Sequence, residues 1–117
     1  MKHALFGIAF FAATIATPAF ADHPFITARE FLRTCEDYQD PKMKGERFGL
    51  CFGYLAGLQD RDIVAGNDRT FCTSELATRK DAMEIVLNYI RANPQLQDKP
   101  TVGVLSLALR AAYPCTP

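Results

Sequence analysis

The chain is poor in the groups from which most active sites are built. Its 117 residues include only two histidines, His3 and His23. No C-x-x-C pair occurs, which argues against a thioredoxin-type redox centre. Asp60, Asp62 and Asp68 lack the spacing and terminal Glu of an EF-hand loop. Solvated charges near a helix end are the plainer reading of the three. Beyond residue 21 no apolar run approaches the ~20 residues that a membrane span needs. Sustained period-two alternation, internal repeats and low-complexity segments are also missing, so nothing in the pattern asks for strands. Nor is one sign of charge in excess, since 13 basic side chains face 13 acidic ones. That balance argues against nucleic acid or an anionic membrane as the main partner.

What is present begins with a basic start, Met1-Lys2-His3, and an uncharged stretch over residues 4–16 that is too short to span a bilayer. Residues 17–21 (T-P-A-F-A) then place small residues, Ala19 and Ala21, at −3 and −1. Together these predict a secretory signal peptide over residues 1–21, cleaved after Ala21, and one mature domain over residues 22–117. Pro18 argues against a buried N-terminal helix instead. No Cys stands at the cleavage point, so the reading is a periplasmic protein without a membrane anchor. Loss of Lys2 leaves 12 basic against 13 acidic side chains, a net of −1. It also leaves His23 as the remaining histidine, beside the new N-terminus, where no Ser-His-Asp or Cys-His arrangement has a well-placed base. The chain does not read as an enzyme, and no cofactor or metal ligand set stands out.

Four amphipathic segments predict an all-α, four-helix domain. Thr27-x-x-Glu30 is a capping box, with Ile26 and Phe31 at the staple positions around it. Phe31, Leu32, Cys35 and Tyr38 continue one face, predicting a first helix over about residues 28–38. Pro41 and Gly45 turn the chain back. A central helix is predicted over residues 46–64, with Gly49, Gly53 and Gly57 at a spacing of four and therefore on one face. Phe48, Phe52, Tyr54, Leu55 and Leu58 surround that groove, so this helix is expected to be buried on most sides. Each mid-helix Gly costs about 0.5–1 kcal/mol relative to Ala, so close backbone approach by a neighbour is the expected offset. That neighbour is either a helix of the same chain or one of a second subunit. Thr78-x-x-Asp81 caps a third helix carrying Ala82, Ile85, Val86, Tyr89 and Ile90, stopped by Pro94. Pro100 suits the first turn of a fourth helix, which carries Val104, Leu105, Ala108, Leu109 and Ala112 and stops at Pro114.

Four cysteines in a small exported domain read as two disulfides, for which three connectivities exist. A short turn makes helices one and two antiparallel neighbours, so Cys35 and Cys51 can meet. An antiparallel pair of helices three and four likewise brings Cys72 and Cys115 together. The predicted bonds are therefore Cys35–Cys51 and Cys72–Cys115. A zinc site would need thiolates, which an oxidising compartment tends to remove.

Cys51, Gly53, Tyr54, Gly57 and Asp60 spell C-x-G-Y-x-x-G-x-x-D, which resembles the signature of the type VI secretion amidase immunity family, also called the Rap/Tai family. The likeness continues in Phe71-Cys72 and in Tyr113-Pro114-Cys115, and so covers roughly residues 30–115. It departs at Ser74, where the family often has Pro. The resemblance implies a periplasmic immunity protein, often a homodimer, that neutralises a secreted peptidoglycan amidase by blocking its active-site cleft. Within the motif, Asp60 reads as a cap or a salt bridge to Arg61 or Arg69, and Tyr54 as a core residue with a bonded hydroxyl. The surface segments able to enter a cleft are residues 39–44, 66–70 and 95–99. The middle one is the first choice because Gly66 gives it freedom while Asn67, Asp68 and Arg69 supply donors and acceptors; a simple connector is the alternative. A second functional class is an acid-stress chaperone resembling the HdeA type, triggered by carboxylates losing charge below about pH 4.

Overall fold

In the computed structural model, residues 25–73 and 77–116 are described. The expected signal peptide and Ser74 lie outside them. Among the described residues the regular structure is four α-helices and two 3-10 turns: α1 (Ala28–Cys35), α2 (Glu46–Ala65), α3 (Arg79–Ala92) and α4 (Thr101–Ala112). The domain is all-α, as its periodicity predicted.

Local chemistry accounts for each boundary. At α1 the Thr27 hydroxyl accepts from the Glu30 amide at 3.2 Å, and the Glu30 carboxylate accepts from the Thr27 amide at 2.8 Å. The amides of Ala28 and Arg29 donate to the carbonyls of Lys99 and Gln97 at 3.0 and 2.9 Å. Free donors of a first turn are thus satisfied by the link between α3 and α4. α1 stops at Cys35, short of Tyr38, because the chain tightens there and the Tyr38 amide donates to the Cys35 carbonyl at 3.0 Å. α2 is bracketed by Gly45 and Gly66, whose φ of 66° and 58° are values that side chains resist. α3 opens on the second capping box, Thr78 with Asp81. Pro100 stands one residue before α4 and not inside its first turn; the Thr101 amide and hydroxyl both donate to the Ile26 carbonyl, at 3.0 and 2.6 Å.

The four helices enclose one apolar core. Phe31 from α1, Leu55 from α2, Met83, Leu87 and Ile90 from α3, and Leu105 and Leu109 from α4 are all essentially inaccessible. Phe71, between α2 and α3, joins them. Both predicted disulfides are present, Cys35–Cys51 and Cys72–Cys115. The first is fully buried between α1 and α2; the second ties the exposed end of the chain to the segment before α3, where the Cys72 amide also donates to the Tyr113 carbonyl at 2.8 Å. Loop-closure entropy assigns them about 3 and about 4 kcal/mol.

The expectation that α2 is buried on most sides is overturned. α1, α3 and α4 all pack against one side of it, the side carrying Cys51, Leu55, Leu58 and Asp62. Phe48 is 46% exposed, and Ile63 and Val64 more so. Helix-wide hydrophobicity here does not mean helix-wide burial, because three neighbours cannot surround a helix at the edge of the layer. The close approach to the glycines within one chain is overturned as well. A Cβ added at Gly49, Gly53 or Gly57 would meet nothing within 4 Å. Among the described residues, no neighbouring element fills the space that the glycines leave open.

Candidate functional site

Two surfaces stand out along α2. The first is the glycine face itself. A helix places residues three and four apart on one side, so Glu46, Gly49, Gly53, Gly57, Asp60 and Val64 share it. Because the glycines present no side chain, the face is concave. Leu50, Tyr54, Leu58 and Val102 supply its apolar walls and floor, Arg61 closes one end, and the groove holds about 490 Å³. Val102 of α4 is half exposed there. Tyr54 packs edge-on against Phe31, with centroids 5.6 Å apart. It is half-buried and its hydroxyl has no hydrogen-bond partner among the described residues, so the expected bonded hydroxyl is not formed.

The second surface is a recess of about 240 Å³ between the end of α2 and the start of α3, lined by Gln59, Asp60, Ile63, Arg69, Thr73 and Arg79. Its rim is the segment anticipated as a partner contact. Asn67 and Asp68 sit in a 3-10 turn, Gly66–Asp68, and Asn67, Asp68 and Arg69 are all exposed. Arg69 Nε donates back to the Gly66 carbonyl at 2.8 Å. Arg79 Nε lies 3.4 Å from Gln59 Oε1, a long contact.

The residue that shapes this rim is Asp62. Its side chain is 7% exposed, and its two oxygens accept the backbone amides of Thr70 and Phe71 at 3.0 and 3.1 Å. Arg61 approaches the same carboxylate at 3.7 Å and donates to the Thr70 hydroxyl at 2.9 Å. Asp62 is therefore not a solvated helix-end charge. A carboxylate in the last turn opposes the helix dipole unless donors offset it; that conflict was the sequence signal of a bound acid. Asp60, by contrast, is exposed and makes neither the cap nor the salt bridge expected of it. Arg61 and Arg69, its anticipated partners, are turned to Thr70 and Gly66. The signature thus keeps an acid on the open face of α2 for which the described residues provide no partner.

The other two segments are differently placed. Residues 95–99 are committed to α1, through the carbonyls of Gln97 and Lys99 and an Arg29–Asp98 pair at 3.1 Å. Residues 39–44 fold over Met43, which is buried, and the Asp40 carboxylate accepts the Lys42 amide at 2.8 Å. Near the second disulfide, hydrogen bonds from the Thr78 hydroxyl and amide hold the Asp81 carboxyl below its ordinary pKa. Burial, and then the charge of Asp81, push the Tyr113 phenol up. Among the described residues no cluster of His, Cys, Asp and Glu could hold a metal, and both histidines fall outside them.

Compared with known proteins, the chain is matched by the family model of the Rap1a immunity proteins over residues 27–115, from the cap of α1 to the last cysteine. It matches none of the curated proteins and none of the solved structures.

Proposed function

The chain belongs to the family of Rap1a immunity proteins, and on that premise we propose that it is an exported inhibitor of a peptidoglycan amidase delivered by type VI secretion. The observation that carries this reading is the extent of the match: it takes in all four helices, both disulfides and the signature on α2. An effector-neutralising function follows from the family; the amidase as target and the periplasm as the place of action are the further steps proposed.

The proposed mechanism is occlusion. A domain braced by two disulfides, with the rim at residues 66–70 pinned by Asp62, presents its contact groups with little ordering entropy left to lose. Asn67, Asp68 and Arg69 enter the polar cleft of the amidase, and the recess behind them, with Asp60 and Arg79, accepts groups from the cleft wall. No chemistry is asked of the chain itself. The protein acts after export, following removal of residues 1–21, and works as a homodimer.

Cells that express this chain with its leader, challenged with its target peptidoglycan amidase directed to the periplasm, should survive. Cells expressing the chain without residues 1–21 should lyse. Equal survival of both would remove the periplasm from the account. Lysis of both would remove the amidase.

A further inference from the structure

We propose that the recess between the end of α2 and the start of α3 takes a single carboxylate side chain of the target enzyme, gripped between Arg69 and Arg79, with Ile63 and Val64 covering the contact. The proposal rests on the reading that the chain neutralises an effector, and it names the chemistry that effector must present. The recess is small, about 240 Å³. Pockets that bury a whole small molecule run to about 300–1,000 Å³. One protruding side chain is the size of occupant that fits.

Charge decides which side chain. The charged residues lining the recess are Asp60, Asp62, Arg69 and Arg79. Asp62 is already committed: its oxygens accept two backbone amides, and Arg61 stands 3.7 Å away. Arg69 uses Nε on the Gly66 carbonyl, and Arg79 Nε makes its long contact with Gln59. Among the described residues neither guanidinium meets a carboxylate, although Asp60 shares the recess with both. Two cations therefore stand against one uncommitted anion, and the balance favours an acidic occupant. A guanidinium also offers its donors as a planar fork that matches a carboxylate.

An exposed ion pair contributes little while water competes for it. Such a contact becomes strong when a ring of covered side chains keeps water out. Ile63 lines the recess and Val64 follows it on α2. They are 76% and 87% exposed, the most exposed large apolar side chains among the described residues. Both are β-branched and stiff at χ1, so covering them costs little side-chain freedom. Two arginines set beside two stiff apolar side chains fit a partner patch of the same build and opposite charge. That patch is an Asp or Glu rising from apolar surroundings on the target enzyme.

The test is calorimetric titration of the full disulfide-bonded protein into its target peptidoglycan amidase at low and at high salt, with inhibition of hydrolysis read on the same samples. Arg79→Glu should raise the dissociation constant by about a hundredfold at low salt, because two acids then face each other. Salt should shrink that ratio by screening the repulsion. Arg79→Lys keeps the charge and loses the fork, so a rise of about tenfold is expected. Ile63→Ser should raise the constant by about tenfold at either salt, since it opens the contact to water. Arg79 and Ile63 are exposed in the free protein, so the unfolding midpoints of these variants should stay at the wild-type value. Stable variants that bind and inhibit as the wild type does would overturn the proposal and leave the immunity reading standing. A loss in Arg79→Glu that salt does not relieve would also overturn it, because the contact would not be ionic. A wild type that neither binds nor inhibits any of a panel of type VI secreted amidases would contradict the immunity reading, and the proposal would fall with it.

Discussion

Two aspartates two residues apart on α2 have opposite lives. Asp62 is enclosed and holds two backbone amides; Asp60 is open to solvent. Replacing Asp62 with Ala strands the amides of Thr70 and Phe71, and each buried donor left without a partner costs about 1–3 kcal/mol. Urea unfolding of Asp62→Ala should show a loss of about that size, with the rim at residues 66–70 loosened first in hydrogen exchange. Asp60→Ala should leave unfolding of the single copy within about 0.5 kcal/mol of wild type. Sequence distinguished the pair poorly. It marked Asp60 through the motif and treated Asp62 as solvated, because the donors that claim Asp62 lie eight and nine residues further on, beyond helical spacing. Asp81 makes a separate prediction with a definite sign. Hydrogen bonds from Thr78 lower its folded pKa below the ordinary 3.8. Its contribution is therefore present above that ordinary value and disappears as pH falls through the lowered one. The stability difference between wild type and Asp81→Ala should persist near neutrality and vanish in acid; a difference that grows on acidification would reverse the assignment.

At the scale of elements, starts and stops were the most legible features. Both capping boxes, the turn at Gly45 and the stops before Pro94 and Pro114 are local chemistry, and local chemistry is written in consecutive residues. The disulfide pairing was legible too, because short connections dictate which helix ends meet. Burial of α2 was not. An apolar pattern records which side chains would gain from burial, but not whether a neighbour exists to bury them. Gly49, Gly53 and Gly57 show the consequence. Within one copy they are open positions, so Gly→Ala there adds helix propensity without overlap. Gly49→Ala should stabilise the dissociated protein by about 0.5–1 kcal/mol, read from thermal unfolding at high dilution. Strong destabilisation under those conditions would mean that an element of the same chain does approach the groove.

For the whole molecule, the candidate site was legible in part. The rim residues Asn67, Asp68 and Arg69 were named from composition, and they are exposed beside a recess. Arg79, on the far wall of that recess, was not anticipated, since only the fold brings α3 against the end of α2. The groove on α2 was legible as a groove, but not which of its two candidate neighbours would fill it; among the described residues a helix of the same chain does not. The groove, from Gly49 to Arg61, and the recess, which begins at Gln59, adjoin on α2. The central claim is that the protein neutralises a peptidoglycan amidase by occupying its cleft. The direct measurement is hydrolysis of purified peptidoglycan by a type VI secreted amidase, titrated with the mature, oxidised protein. The account predicts that turnover falls linearly to zero at one protein chain per enzyme, and that Asp68→Ala with Arg69→Ala weakens inhibition while leaving thermal stability unchanged. Undiminished hydrolysis in excess protein, together with suppression of aggregation of unrelated proteins below about pH 4, would contradict it and mark the chain as an acid-stress chaperone.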